Sequence, residues 1–172
     1  MRWFIVAILA YVSILAETTV FRPGALAVAL DEHWARPDVL LVLGVFLAMF
    51  LEPHEVFVAG WCFGLASDWI SVTGRLGVQA LLFAAALYVV AYIRGRASRP
   101  RVLAQFLVCL GAVFAVHWLW YMATRVLMGG SALVVRSAEE AALDGLYSAV
   151  LAPYLFWAFL RLRAPLDLPA GT

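Results

Sequence analysis

Four acidic residues stand inside or beside apolar runs: Glu17, Asp38, Asp68 and Asp144. A carboxylate in such a place needs a partner, a water-lined cavity or a function. The roles open to these four are therefore ion pairing, lining of a polar cavity, or presentation to a partner. Catalytic constellations are missing from the sequence pattern. His33, His54 and His117 fall in three separate parts of the chain, so one metal site does not collect them. Ser67 lies in Leu65-Ala66-Ser67-Asp68 rather than in a G-x-S-x-G elbow, and a helical serine is commonly satisfied by the preceding turn. Gly74-Arg75-Leu76-Gly77 lacks the Lys and Ser/Thr of a phosphate-cradling loop. No cofactor, metal or enzymatic activity is expected.

The surroundings of these acids are those of a membrane protein. Of 172 residues, 66% are hydrophobic and 13% charged, with mean hydropathy +0.96. Soluble domains carry about 25% charged residues. The net charge of +1 gives no basic field to recruit nucleic acid. Cys62 and Cys109 sit in apolar runs, where cysteine acts as a small hydrophobe. The N-terminal run from Trp3 to about Phe21 is read as an anchor rather than a signal peptide, because it is long enough to cross a bilayer and signal cores run about 7–15 residues.

Punctuation by Pro, Gly and charge divides the chain into six apolar segments, about 3–21, 38–52, 55–70, 77–93, 102–127 and 141–160. The expected fold is all-α, a polytopic transmembrane helical bundle of about six segments in one domain, residues 1–162, with a disordered tail over 163–172. Segment two is short for a span. It either thins the membrane, borrows flanking residues, or forms a re-entrant pair with segment three. Arg94, Arg96, Arg99 and Arg101 form the strongest cytoplasmic signal in the chain. With that loop inside, Arg2, Arg161 and Arg163 also fall inside, and both termini are cytoplasmic. The four acids then share one level toward the outer side, together with Arg22, Arg36, Arg75, Arg125 and Arg136.

Gly60, Gly64 and Asp68 are four residues apart and lie along one helix face. Such a face lets a second helix backbone come close. In the structural reading the glycines pack on a neighbouring helix and Asp68 hydrogen-bonds the loop Ser71–Gly77. In the functional reading the face lines an outward cavity where Asp68, Arg75 and Gln79 meet a partner. Asp38, after Pro37, is explained by an acid complementing a positive helix end. Asp144 is placed at the start of segment six. His117, beside Trp118 and Trp120, is read as an interface residue.

The order Arg36-Pro37-Asp38-Val39-Leu40-Leu41, Gly60-x-x-x-Gly64-x-x-x-Asp68, Gly74-Arg75-Leu76-Gly77-Val78-Gln79-Ala80-Leu81, then an arginine loop, resembles the MreD family of rod shape-determining proteins over roughly residues 1–160. The resemblance implies a non-enzymatic bacterial inner-membrane scaffold of the cell-elongation complex. It would bind MreC, act with MreB, RodA and a class B penicillin-binding protein, and help control peptidoglycan synthesis and cell shape. It also implies a fold similar to the substrate-binding subunits of energy-coupling-factor transporters. The matching positions are Pro37, Asp38, Gly60, Gly64, Asp68, Gly77 and Gln79, carried over as helix-packing or partner-contact residues. The loop from Gly129 to Glu140 departs from the pattern. The alternative function is a small-molecule-binding membrane subunit of a transporter.

Overall fold

The computed structural model describes residues 2–20, 28–30, 33–70, 77–94, 102–127 and 134–161. Among these are six helices: α1 (Arg2–Thr19), α2 (Val39–Ala48), α3 (Pro53–Ile70), α4 (Val78–Arg94), α5 (Val102–Leu127) and α6 (Val134–Arg161). A short antiparallel ribbon, β1 (Val28–Leu30) and β2 (His33–Ala35), precedes α2, with Ala29 opposite Trp34. The sequence reading placed only a loop there. The arginine loop beyond Arg94, the residues Arg22 and Arg75, and the tail 163–172 lie outside the described residues.

The centre of the bundle is α2. All ten of its residues are buried, and it touches each of the other five helices. A helix apolar on every side is either lipid-facing or surrounded by protein. Here protein surrounds it. Ten residues rise roughly 15 Å, half of a bilayer core of about 30 Å. Segment two is thus a short inner helix enclosed by the other five.

Around α2 the chain folds as two close helix pairs, α3 with α4 and α5 with α6, while α1 rests on α2. Phe46 of α2 meets Phe156 and Phe159 of α6 at ring-centroid separations of 5.5 and 5.3 Å. Leu87 of α4 fills a hollow between two glycines. A Cβ on Gly44 would come within 2.5 Å of its Cδ1, and one on Gly60 within 3.1 Å. Pro53 opens α3, where its missing N–H costs nothing.

Two differences from the sequence reading concern α6. It starts at Val134 rather than near residue 141, so part of the departing loop is helix. Asp144 consequently lies in the third turn of α6 and not at its start. Its buried stripe, Ala141, Asp144, Ser148, Ala152, Phe156 and Phe159, keeps helical spacing throughout.

Large apolar side chains cover the outside. Phe4, Tyr11, Trp61, Trp69, Leu81, Leu103 and Trp157 are all exposed. Patches of that extent do not face water in a monomer. Among the described residues, two helices are long and apolar enough to cross a membrane, over Leu103–Thr124 and Ala138–Arg161. On the surface of α6, Arg161 lies over the Trp157 ring at 3.9 Å, a cation–π contact.

Candidate functional site

A helix leaves its first N–H groups without internal partners, and a bilayer offers no water to satisfy them. Two such helix starts occur at one end of this bundle. Arg94 at the end of α4 donates from Nη1 to the carbonyl of Ala48 at the end of α2, 3.1 Å away. The two helices therefore run the same way and share an N-terminal end. Acids gather there.

At α4, Asp68 from the last turn of α3 accepts three backbone N–H groups. Its Oδ2 takes those of Gly77 at 2.8 Å and Ala80 at 3.2 Å, and its Oδ1 takes that of Gln79 at 3.4 Å. The side chain is 5% exposed. Asp68 is thus the N-terminal cap of a neighbouring helix, aligned with the positive end of its dipole. Gly77 holds φ +106°, a region that L side chains rarely adopt, and this aims its N–H at the carboxylate. A Cβ there would meet nothing within 4 Å. Gly77 is needed for backbone conformation, which corrects its reading as a close-packing residue.

Gly64 lies one turn below Asp68, and close approach governs it. A Cβ at Gly64 would stand 2.3 Å from Ala80 Cα and 2.6 Å from Gln79 O; at Gly60 it would stand 3.0 Å from Ala84 Cα. The tight α3–α4 contact is what brings Asp68 within reach of the α4 amides.

At α2 the capping groups and their supports are its own N-cap residue and side chains from three other helices. Asp38 is the N-cap: its Oδ1 accepts the N–H of Leu41 at 2.7 Å. Glu17 of α1 accepts the N–H of Leu40 at 2.7 Å. Asp144 of α6 accepts the N–H of Arg36 at 3.1 Å on Oδ1, and the Tyr121 hydroxyl of α5 donates to its Oδ2 at 3.0 Å. Ser148 of α6 accepts the N–H of Asp38 at 2.9 Å and donates to the Asp144 carbonyl at 2.8 Å. His117 of α5 places Nε2 3.8 Å from Asp38 Oδ2, with Nδ1 3.0 Å from the Val113 carbonyl. Since a carbonyl only accepts, Nδ1 carries a proton.

Three carboxylates thus converge on the positive pole of α2, and a guanidinium sits at its negative pole. Each arrangement favours the helix. Ser148 is the smallest member and the easiest to test. Ser148→Ala orphans the Asp38 N–H and is expected to cost about 1–3 kcal/mol, read as an earlier transition in detergent-mixture unfolding; Thr18→Ala, on the exposed side of α1, serves as the control. A transition equal to the control would remove Ser148 from the cap.

Of the residues expected to line an outward pocket, Asp38, half-buried, and Asp68, buried, are helix-end acceptors, and Gln79 is half-buried and bound to Asp68 through its backbone. Arg75 lies outside the described residues. Pro37 is buried just before the α2 cap. The sequence reading missed Tyr121 and Ser148 and misplaced His117, which faces the acid cluster instead of a membrane interface. The available signal was spacing: His117 with Tyr121, and Asp144 with Ser148, are each four apart on one helix face. Among the described residues no group of three His, Cys, Asp or Glu has the geometry to hold a metal.

A family model described as rod shape-determining protein MreD matches residues 1–163. The chain belongs to the MreD family. Membership implies a bacterial membrane protein with a role in rod-shape determination, within the rod-shape complex. The MreD family is a shape-determination component and not a known enzyme family. No curated protein and no solved structure matches the chain, so the expected likeness to the substrate-binding subunits of energy-coupling-factor transporters has no support from comparison.

Proposed function

We propose that this MreD-family protein is a non-enzymatic, multi-pass scaffold of the cell-elongation complex in the inner membrane, where it binds MreC and through the complex acts with MreB, RodA and a class B penicillin-binding protein. The observation that carries this reading is the use made of its polar groups. Asp68, Asp38, Glu17 and Asp144 all serve backbone amides at helix starts. Such acids build a rigid frame rather than a reaction site. Asp38 and Asp68 then act on a partner through the helix ends they hold, Gln79 borders the α4 end as a contact residue, and Arg75, two residues before Gly77 in the sequence, is a second contact residue in this reading.

The transporter-subunit alternative has less behind it. A solute site needs convergent polar groups in a concavity, whereas the groove between α4 and α5 is walled by apolar side chains. Co-purification of MreC with the tagged protein from membranes tests the scaffold reading, with capture of MreC expected. Recovery of the protein without any single-span partner would refute it.

The proposed orientation, both termini in the cytoplasm, rests on the positive-inside rule. Neutralising Arg94, Arg96, Arg99 and Arg101 together is expected to yield mixed orientation in a cysteine-accessibility assay. Unchanged labelling would overturn the topology without touching the scaffold reading.

A further inference from the structure

Between α4 and α5 runs a groove of about 530 Å³, open along one side. Leu82, Val89 and Ile93 wall it from α4, and Leu107 and Leu119 from α5. A Cβ at Gly111 would meet nothing within 4 Å, so the groove continues over that backbone. Among the described residues one charged side chain lines it, Arg94 at one end, and no acid does.

We infer that this groove seats one acyl chain of an anionic phospholipid from the bilayer, with the Arg94 guanidinium on its phosphate. The dimensions select the occupant. From Leu82 to Arg94 the groove follows α4 for roughly 18 Å, close to the roughly 15 Å that one leaflet gives to a bilayer core. An acyl chain of that leaflet matches its length and its apolar walls.

The charge selects the headgroup. Guanidinium presents five N–H donors in a fork that matches phosphate. One of the Arg94 donors goes to the Ala48 carbonyl, which fixes the side chain at the groove mouth. Arginine at a membrane boundary usually lays its aliphatic stem on apolar surface and keeps its head at the polar level. Sequence continues from there into Arg96, Arg99 and Arg101, which raise the local positive charge. The inference requires only that the chain lies in a bilayer and does not depend on any protein partner.

The test uses the full chain purified in mild detergent, titrated with phosphatidylglycerol or with phosphatidylcholine of the same acyl chains, and bound lipid counted by native mass spectrometry. Wild type is expected to retain one phosphatidylglycerol in preference to phosphatidylcholine. Arg94→Gln is expected to lower that preference about fivefold, and Arg94→Lys, which keeps the charge, to preserve most of it. Gly111→Leu, whose side chain enters open space, is expected to lose both lipids while unfolding at the wild-type point. Equal retention of the two lipids by wild type would overturn the headgroup assignment. Undiminished lipid on folded Gly111→Leu would overturn the groove, and equal loss in Arg94→Gln and Arg94→Lys would assign the effect to the α2 terminus instead.

Discussion

Gly64→Ala is expected to be the most damaging single-methyl addition in the protein. The new Cβ would lie 2.3 Å from Ala80 Cα and 2.7 Å from Ala80 N, both backbone atoms of α4. A side-chain end can swing away; a helix backbone cannot. To restore ordinary contact at about 3.5 Å, α4 must retreat by roughly 1 Å. That retreat also lengthens the bonds from Gly77 and Ala80 to Asp68, now 2.8 and 3.2 Å. Overpacking typically costs about 1–3 kcal/mol, and loss of the cap adds to it, so about 3 kcal/mol or more is expected. Gly60→Ala, with its nearest atoms at 3.0–3.1 Å, is expected to cost less. Gly111→Ala is expected to be neutral or slightly stabilising, since alanine is the better helix former. Detergent-mixture unfolding of the three variants checks the order, and a Gly64→Ala transition matching that of Gly111→Ala would refute the close approach.

Asp68→Ala is expected to follow closely, at about 2–4 kcal/mol, because the buried amides of Gly77, Gln79 and Ala80 lose their acceptor together. Asp68→Asn keeps one oxygen, enough for Gly77 and Ala80 where Oδ2 now stands, and is expected to lose about half as much. The two substitutions separate shape from contact. If Asp68 acts only through α4, MreC capture by Asp68→Ala falls in step with the folded fraction. Capture lost well beyond that fraction would mean that the carboxylate itself meets the partner. Combined with Gly64→Ala the effects are expected to be less than additive, since both release the same end of α4.

Most helix limits were legible because prolines, glycines and charges punctuate this chain. The expected 102–127 is α5, and 77–93 is α4 to within a residue. The role of segment two was less so. Thirteen apolar residues look alike whether lipid or protein surrounds them, and only the tertiary arrangement shows that α2 is enclosed. The early start of α6 escaped because Ser137-Ala138-Glu139-Glu140 is polar, while alanine and glutamate are also good helix formers.

The acids of the site were visible as residue types in an unusual setting, and the four-residue spacing placed Asp68 on the face of Gly60 and Gly64. Their distant partners were not visible. Asp38 and Ser148 are 110 residues apart, Arg36 and Asp144 108 apart, and a single sequence carries no sign of such pairings. A backbone amide is also an anonymous partner, present at every position save proline. Arginine partners and an outward cavity therefore stood as alternatives beside the loop hydrogen bond expected for Asp68 and the helix-end role expected for Asp38.

The enclosure of α2 bears on how the protein is made. Its leading amides are answered by Glu17 and Asp38, while the segment that enters it is held at Arg36 and Asp38 by Asp144 and Ser148, synthesised more than a hundred residues later. While the ribosome is still building the middle of the chain, this helix has half of its anchorage. Completion waits for the last helix to dock, so biogenesis ends by locking in a piece that emerged near its beginning.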